Sequence, residues 1–208
     1  MDISVPKIYE VLCNTKSDIN EHLPTLMNYS KECETILELG VRGVVSSWAF
    51  VYGLMNNEKS RKLLYCNDIQ PCNMNFLEHA CKNIVDIKYK WCSDLLLDFP
   101  NDSFDMVFID TFHVYGQLKR ELEKFSKISK KYIIMHDTTV DKVHGEVKRY
   151  MMNQLNELII STGFPKEELL TGLQPAIDEF IQSHNNWFVK EVYTNNNGLT
   201  ILERKYGE

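Results

Sequence analysis

Two short runs of this sequence carry side chains that could perform acid–base or metal chemistry, Asp110-x-x-His113 and His136-Asp137. Histidine titrates near pH ~6.5, so His113 is a candidate general base at neutral pH. Carboxylate oxygens are the ligands that hard cations such as Mg²⁺ prefer, which makes Asp110 and Asp137 candidate metal ligands. His136 would be a poor ligand for Mg²⁺ but a reasonable one for Mn²⁺ or a transition ion. The two runs predict a site that holds a base, a divalent cation, or both.

A glycine turn earlier in the chain predicts the other half of this site. The run Thr35-Ile-Leu-Glu-Leu-Gly40-Val41-Arg-Gly43 has the pattern of an apolar strand that breaks at the glycines and leads into a helix. Because glycine has no Cβ, such a turn lets backbone N–H groups approach a bound nucleotide-like ligand. The acid just before the turn, Glu38, would gain nothing from a phosphate but suits a ligand with a cationic amino-acid end. The turn therefore favours S-adenosylmethionine over a nicotinamide dinucleotide.

The elements around these runs alternate between strands and helices. Apolar runs predict five strands, at 35–39, 62–66, 87–91, 104–109 and 132–135. With helical patterns between most of them, this order is typical of a parallel sheet that has helices on both faces. Ligands of such sheets bind beyond the carboxyl ends of the strands. Acids occur within a few residues of four predicted strand ends, at Asp68, Asp94, Asp110 and Asp137.

The rest of the chain is predicted to complete a single domain, 1–208. Residues 1–34 have the pattern of an N-terminal helical segment. Residues 138–173 contain helical stretches, notably 143–160, but no strand, and a connection of this length is unusual. The segment is either a lid or an added pair of surface helices, and we expect it to cover the site. Strands at 188–193 and 199–204, joined by Asn195-Asn-Asn-Gly198, are predicted to form an antiparallel hairpin.

The composition is ordinary for a globular protein, with 44% hydrophobic and 25% charged residues. A net charge of −6 argues against a nucleic-acid substrate, because phosphate binding usually leaves a basic patch. The six cysteines follow no metal-binding spacing, and neither a secretory leader nor a membrane-spanning apolar run is evident. We therefore expect reduced thiols, a cytoplasmic location and no membrane partner.

Four segments resemble motifs of class I S-adenosylmethionine-dependent methyltransferases. They are Ile36-Leu-Glu-Leu-Gly-Val-Arg-Gly43, Phe108-Ile-Asp-Thr-Phe-His-Val-Tyr115, Ile133-Ile-Met-His-Asp-Thr138 and Gly198-Leu-Thr-Ile-Leu-Glu203. Over residues 18–205 the chain is similar to small-molecule O-methyltransferases, the subgroup that includes macrolide-sugar enzymes and the methyltransferase component of cephalosporin biosynthesis. The resemblance implies a Rossmann-like α/β fold with a mostly parallel seven-stranded sheet, helices on both faces and an antiparallel last strand.

The resemblance also implies which residues hold S-adenosylmethionine. Its methionine end would lie over Gly40–Gly43, with its carboxylate near the backbone N–H groups of Ser46 and Ser47, which the sequence itself predicts as helix N-caps. Asp68 would accept both ribose hydroxyls. The adenine amino group would meet one of two residues after the third strand, Ser93 or Asp94.

The predicted metal site departs from the pattern of the resembled group. Its metal-dependent members carry an acidic pair at the end of the fifth strand, and catechol-type relatives carry Asp-Asn, whereas this chain has His136-Asp137-Thr138. A requirement for Mg²⁺ or Mn²⁺ is therefore open at this point.

Three functions are consistent with these patterns. The first is S-adenosylmethionine-dependent O-methylation of a small hydroxylated acceptor, such as a sugar or a natural-product intermediate, with His113 as the base. The second is a catalytically inactive S-adenosylmethionine-binding or partner subunit, since a fold does not imply an activity. The third, a nicotinamide-dependent oxidoreductase, fits poorly because Gly40-x-x-Gly43 lacks the G-x-G-x-x-G spacing. The N-terminal helices offer a contact for a homo-oligomer.

Overall fold

A computed structural model of the chain describes residues 4–205, and its centre is a seven-stranded sheet. The strands are β1 (Thr35–Leu39), β2 (Leu63–Asp68), β3 (Asp86–Trp91), β4 (Phe104–Ile109), β5 (Ser129–His136), β6 (Trp187–Tyr193) and β7 (Leu199–Arg204). Their order across the sheet is β3-β2-β1-β4-β5-β7-β6. β7 pairs antiparallel with both β5 and β6, and the other pairs are parallel. The predicted fold class is confirmed.

The central strands are apolar because helices cover both faces of the sheet. Every residue of β1 and of β4 is buried, as expected for parallel strands inside an α/β sheet. The edge strand β3 has no buried residue along its length. The sequence predicts β1, β4 and β7 with the bounds that the structure has, and the other strands within three residues at each end.

Nine α-helices lie in the part of the chain that the structure describes. They are α1 (Val5–Asn14), α2 (Leu23–Ser30), α3 (Val45–Met55), α4 (Asn75–Ala80), α5 (Tyr115–Phe125), α6 (Glu146–Tyr150), α7 (Leu155–Thr162), α8 (Lys166–Leu170) and α9 (Gln174–Ser183). α2, α3 and α4 pack on one face of the sheet, and α5 and α9 pack on the other. Among residues 4–205, none of the helices has the length and apolar composition that crossing a membrane requires.

Segment 138–173 packs against the loop that follows β4. Its apolar side chains form a small cluster with the start of α5, made of Val114, Val147, Phe164 and Leu169. The backbone N–H of Tyr115 donates to the carbonyl oxygen of Thr171 (2.9 Å), and that of Glu146 to the carbonyl oxygen of His113 (3.0 Å). The helical pattern predicted over 143–160 is divided between α6 and α7, with a 3-10 turn between them.

The turn between β6 and β7 also reaches the end of β5. Asn196, Asn197 and Gly198 all have positive φ angles, of 44°, 70° and 100°. A Cβ at position 198 would collide with Thr139, so glycine allows the turn to lie against the residues after β5. The backbone N–H groups of Thr139 and Val140 both donate to the carbonyl oxygen of Asn197 (2.9 Å each). The predicted hairpin is confirmed, and its turn lies beside the predicted site.

Candidate active site

The glycine turn lies directly beside the loop after β4. Gly40 has a φ of +86°, and a Cβ on it would collide with the carbonyl oxygen of Asp110. The Asp110 N–H donates to the carbonyl oxygen of Leu39 (2.8 Å), and the Gly40 N–H to that of Asn67 (2.9 Å). At Gly43 a Cβ would meet only ordinary contact distances. Glycine at position 40 is therefore what brings the turn and Asp110 together.

Glu38 is fully buried and binds the start of α3. Its two carboxylate oxygens accept hydrogen bonds from Ser46 Oγ (2.5 Å) and Ser47 Oγ (2.7 Å). Burial raises the pKa of Glu38 to about 7, although these hydrogen bonds act in the opposite direction. The prediction that the serines cap the helix is wrong, because Val44 occupies the N-cap position and both hydroxyls donate to Glu38. Contact between Glu38 and a cofactor stays a prediction.

Asp68, at the end of β2, holds the glycine turn in place. Its Oδ2 accepts hydrogen bonds from the backbone N–H groups of Val41 and Arg42 (2.9 Å each), and its Oδ1 accepts one from that of Gln70 (2.8 Å). Burial alone would raise the pKa of Asp68, but these three bonds outweigh it and lower the pKa. An ionised carboxylate thus lies beside the turn, and its contact with a ribose is still a prediction.

Asp94 forms a buried pair with Glu121 of α5, and we call these two residues the carboxyl pair. Gln117 Nε2 donates to Asp94 Oδ1 (3.0 Å) and to Glu121 Oε1 (2.9 Å), and Thr111 Oγ1 donates to the same Glu121 oxygen (2.5 Å). Within residues 4–205, Asp94 Oδ2 and Glu121 Oε2 are buried and have no hydrogen-bond partner. Burial raises the pKa of both groups, and the charge of Asp94 raises that of Glu121 further. The pair therefore holds a proton. Ser93, the other adenine candidate, is half-buried.

Four side chains meet where β4 and β5 end, and we call them the Asp–His cluster: Asp110, His113, His136 and Asp137. His113 Nε2 lies 3.1 Å from both Asp110 Oδ1 and Asp137 Oδ2. His136 Nδ1 lies 3.3 Å and 3.5 Å from the same two oxygens. Imidazoles and carboxylates therefore alternate around a closed ring of four contacts.

Backbone carbonyl groups bind the far side of His136. Its Nε2 lies 3.1 Å from the carbonyl oxygen of Asp18 and 3.2 Å from that of Asn196. Asn196 is itself fixed, because its side chain accepts the Glu21 N–H (3.0 Å) and donates to the Ser17 carbonyl oxygen (2.8 Å). The N-terminal segment and the β6–β7 turn thus orient a histidine of β5.

The far side of His113 faces two acids of segment 138–173. Its Nδ1 lies 3.5 Å from Asp141 Oδ2 and 3.9 Å from Glu146 Oε2. Glu146 Oε1 also accepts the backbone N–H of His113 (2.9 Å). Asp141 is fully buried, and Arg149 binds both of its oxygens (2.8 and 2.5 Å). Together with the two aspartates of the cluster, four carboxylates surround one imidazole.

The charges within the Asp–His cluster stabilise one another. Burial would lower the pKa of each histidine, but the neighbouring carboxylates outweigh it and raise the pKa of His136 to about 10 and that of His113 well above its usual range. The histidines in turn lower the pKa values of Asp110 and Asp137, against the effect of burial. When no metal ion is bound, both imidazoles are therefore protonated near neutral pH. The predicted role of His113 as a base requires a state in which that proton is gone.

The cluster also has the donor set of a divalent metal site. Asp110, His113 and Asp137 each offer one ligand atom within 4.8 Å of the others, and His136 Nδ1 adjoins the same carboxylates. In the described part of the chain, Asp137 Oδ1 is buried without a hydrogen-bond partner, which a cation would supply. Asp137 also has a φ of +57°, and uncommon backbone conformations of this kind cluster at functional sites. The residues present fit a divalent cation. His113 would be either a further ligand or the base, because the same Nε2 faces the cluster in both roles.

Sequence reasoning missed several residues that shape the site. Glu121 had a detectable signal, because it is an acid within the apolar stripe of α5 that includes Leu118, Leu122 and Phe125. Asp141 had a weaker signal, as an acid four residues after Asp137. Nothing in the sequence marks Asp18 and Asn196 as site residues, because they contribute backbone carbonyl oxygens, which every residue type has.

Comparison with known proteins gives one domain family and one fold. Residues 37–138, just under half of the chain, match a family model described as a methyltransferase domain. No curated protein matches the sequence. Among solved structures, a protein from Corynebacterium glutamicum is similar with a TM-score of 0.62 at 13% identity, over 100% of this chain and 92% of that chain.

Two further solved structures contain a cofactor or its product. A methyltransferase from Podospora anserina, bound to S-adenosylhomocysteine, has a TM-score of 0.57 at 12% identity, over 99% of this chain and 89% of that chain. The O-methyltransferase TomG from Streptomyces achromogenes, involved in tomaymycin synthesis and in complex with S-adenosylmethionine, has a TM-score of 0.55 at 15% identity, over 99% and 91%. At these identities the likeness establishes the fold.

Proposed function

We propose that this chain, which carries a methyltransferase domain in a Rossmann-like methyltransferase fold, transfers a methyl group from S-adenosylmethionine to a hydroxyl group of a small acceptor. The observation that carries the proposal is the contact of Gly40 with Asp110, which places the glycine turn against the Asp–His cluster. A methyl donor at the turn and an acceptor at the cluster would be neighbours. Similar structures with S-adenosylhomocysteine or S-adenosylmethionine bound support this choice of cofactor.

The proposed cofactor site follows one edge of the sheet. The turn Gly40–Gly43 would bind the methionine end, and Asp68 would bind the ribose; hydrogen bonds already join these two parts. Of the two adenine candidates we favour Ser93, because Asp94 is bound within the carboxyl pair.

The chemistry of the step defines what the Asp–His cluster must do. Methyl transfer forms a C–O bond and breaks the S–C bond of the sulfonium, so that S-adenosylhomocysteine leaves and the acceptor hydroxyl loses its proton. A divalent cation held by Asp110, His136 and Asp137 would polarise that hydroxyl as a Lewis acid. A neutral His113 would accept the proton as general base. The carboxylates around His113 would stabilise the positive charge of a bound cation and also that of a protonated His113.

We also propose that segment 138–173 covers the acceptor. The support is that Glu146 and Asp141 of this segment face His113, while its backbone is bonded to the loop after β4. A lid in this place would exclude water from the reacting groups, which strengthens the electrostatic interactions inside the site.

Calorimetric titration of the purified protein with S-adenosylhomocysteine tests the proposal. We expect saturable binding, and we expect Asp68→Ala to weaken it by about tenfold or more, because a ribose would lose its acceptor and the turn its anchor. The matched control is Asp86→Ala at the start of β3, an exposed acid that should leave binding unchanged. An absence of binding at millimolar ligand would refute the proposal.

A second candidate function is a subunit that binds S-adenosylmethionine without catalysing transfer. The observation that favours it is the approach of Asp141 and Glu146 to His113, because these side chains occupy one side of the candidate base. Screening hydroxylated acceptors with labelled S-adenosylmethionine separates the two candidates. Binding of S-adenosylhomocysteine with no transfer to any sugar or phenol would favour the inactive subunit. If the wild type transfers methyl groups and the His113→Ala variant transfers them at the same rate, His113 is not the base.

A further inference from the structure

The backbone of the glycine turn is strained at residues that are not glycine. Arg42 and Val44 both have positive φ angles, of 40° and 61°, in the left-handed region that L side chains seldom adopt. For Val44 this conformation is a clear outlier, because valine is branched at Cβ. Gly43 lies between the two strained residues and has no positive φ of its own. This glycine therefore does not relieve the strain, and other contacts must hold the turn in its shape.

Asp68 holds the first part of the turn. Its Oδ2 accepts hydrogen bonds from the backbone N–H groups of Val41 and Arg42 (2.9 Å each), and the N–H of Val44 donates to the carbonyl oxygen of Val41 (2.8 Å). Val44 is the N-cap residue of α3, and it makes no side-chain hydrogen bond to the helix. The usual attachment of a helix start through its N-cap side chain is thus missing here.

Glu38 of β1 supplies an attachment for the start of α3. Its two oxygens accept hydrogen bonds from Ser46 Oγ (2.5 Å) and Ser47 Oγ (2.7 Å), in the first turn of the helix. Cys66 Sγ also lies 3.2 Å from Glu38 Oε2. Glu38 and its three donors are all buried, so water does not compete for these bonds. Two carboxylates, Glu38 on β1 and Asp68 on β2, thus hold the two ends of one strained turn.

The same bonds leave Glu38 poorly placed to contact a ligand. Its side chain is fully buried, and each of its oxygens already accepts a hydrogen bond from a serine. An effect of Glu38 on a bound cofactor would therefore pass through the start of α3. Strained backbone persists where the surrounding structure enforces it, and such strain clusters at functional sites.

We propose that Ser46 and Ser47 are positioning residues of the cofactor site. Through Glu38 they hold the start of α3, and with it Val44, in the strained conformation that the glycine turn needs to bind the cofactor. The inference rests on the proposed function, because cofactor binding is the property that the turn would serve. It also gives Glu38 a role that requires no contact with the cofactor.

Strain and affinity are linked in this arrangement. Without the serine hydroxyls, the turn is free to relax toward ordinary backbone angles. Only the molecules that keep the strained shape then bind the cofactor with full affinity, and the apparent dissociation constant rises as their fraction falls. A residue that adopts the left-handed region without strain should keep the turn in shape even when the serine hydroxyls are absent.

Calorimetric titration with S-adenosylhomocysteine tests the inference on the serine double variant, Ser46→Ala with Ser47→Ala. We expect it to bind about tenfold or more weakly than the wild type, at a temperature at which circular dichroism shows both to be folded. The matched control is Ser30→Ala, which removes an equally buried hydroxyl from α2 and should leave the affinity unchanged. Unchanged or tighter binding by the serine double variant would overturn the inference, because a Glu38 freed from the serines would then be the better ligand.

A third substitution separates positioning of the turn from a general loss of packing. Val44→Asn introduces a residue that tolerates the left-handed region. Added to the serine double variant, it should restore most of the lost affinity. Val45→Asn, at the next half-buried position, should restore none. Failure of Val44→Asn to restore binding would show that the serines do not act through the turn.

Thermal unfolding keeps the inference testable if the serine double variant does not fold. Val44 and Val45 are both half-buried and pack against the same core, so their asparagine variants lose similar contacts. Only Val44→Asn relieves strain, and its midpoint of unfolding should lie about 2–4 °C or more above that of Val45→Asn. Equal midpoints would mean that the turn stores no strain at position 44, which would overturn the inference.

The titrations also separate this inference from the proposed function. A wild-type protein that does not bind S-adenosylhomocysteine would refute the proposed function, and the positioning role with it. Wild-type binding that the serine double variant retains in full would refute the positioning role alone.

Discussion

Two buried groups of acids lie close together in this protein and are neutralised in different ways. In the Asp–His cluster, each carboxylate contacts two imidazoles that can carry charge or hold a metal. In the carboxyl pair, the donors are the uncharged side chains of Gln117 and Thr111. A cavity of about 10 Å³ lined by residues of both groups, among them Glu121 and His136, lies between them. The cluster can therefore stay ionised, whereas the pair must retain a proton.

This contrast predicts opposite responses to the loss of one carboxylate. Removal of one partner from a compensated buried group leaves an unpaired charge, which is strongly destabilising. Removal of one charge from an uncompensated pair relieves repulsion. The following substitutions test this, from the largest expected effect to the smallest.

Asp137→Asn should have the largest effect. Asparagine tolerates the φ of +57° at this position, so the main loss is the negative charge beside His113 and His136. We expect the free energy of unfolding at pH 7, with chelator present, to fall by about 2–4 kcal/mol in urea denaturation. The matched control is Asp102→Asn, which has a φ of 56° but is exposed and should change stability by less than about 0.5 kcal/mol. Equal effects of the two substitutions would contradict charge compensation in the cluster.

Gln117→Leu should have the next largest effect. Its Nε2 is the donor shared by Asp94 and Glu121, and leucine would leave both oxygens without it. We expect a loss of about 1–3 kcal/mol in unfolding free energy at pH 8. Gln174→Leu, which removes an exposed hydrogen bond to Asp178, is the control and should cost little. A loss no larger than that of the control would mean that the carboxyl pair does not depend on this donor.

Glu121→Gln should stabilise the protein at alkaline pH. Because the folded-state pKa of Glu121 is raised, its contribution to stability is complete below the ordinary value near ~4.5 and is lost as pH rises through the raised value. Glutamine cannot ionise, and its amide can donate to Asp94. We expect a gain of about 1 kcal/mol at pH 8 relative to the wild type and a smaller difference at pH 5, by denaturation at both pH values. A variant that is less stable than the wild type at pH 8 but not at pH 5 would show that the native pair is stable when fully ionised.

Thr111→Val should have the smallest effect and locates the proton of the pair. Its hydroxyl donates to Glu121 Oε1 and is only half-buried. We expect a cost of about 0.5–1.5 kcal/mol, and about the same cost in the Glu121→Gln background, because a protonated Glu121 and an amide both offer an uncharged carbonyl oxygen to the hydroxyl. A double-mutant cycle measures the difference. A larger cost in the wild type would contradict this and place the proton on Asp94, because a hydrogen bond to an ionised Glu121 is stronger than one to an amide.

The sheet could be predicted from the sequence because its central strands are buried on both faces. β1 and β4 are mostly apolar runs with clear ends, although each contains one acid, Glu38 or Asp105, and the hairpin β6–β7 is marked by its Asn-Gly turn. The acids Asp68, Asp110 and Asp137 lie at or directly after strand ends, as predicted from the sheet type alone. The spacing of apolar residues is less informative over 138–173. The helices there are short, and they are stabilised by packing against the start of α5 rather than by an apolar stripe of their own.

The orientation of side chains could not be predicted in the same way. Ser46 and Ser47 fit the residue preference for helix caps, but a buried acid competes for their hydroxyls and binds them. Asp94 follows a strand like the other acids, yet it begins a 3-10 turn (Asp94–Leu96) and faces Glu121 instead of solvent. The orientation of these side chains depends on which helix or strand packs against them. Neighbouring residues in the sequence do not specify that packing.

The contacts of His136 have a consequence for the order of folding. The two carbonyl oxygens that bind its ring come from residues 118 positions earlier and 60 positions later in the chain. Contacts between such distant residues form slowly, because long loops must close before the contact is gained. During synthesis, which proceeds from the N-terminus, the β6–β7 turn leaves the ribosome after strands β1–β5. These strands can thus assemble before the imidazole of His136 is oriented, and a nascent chain that still lacks the turn would not yet have its finished site.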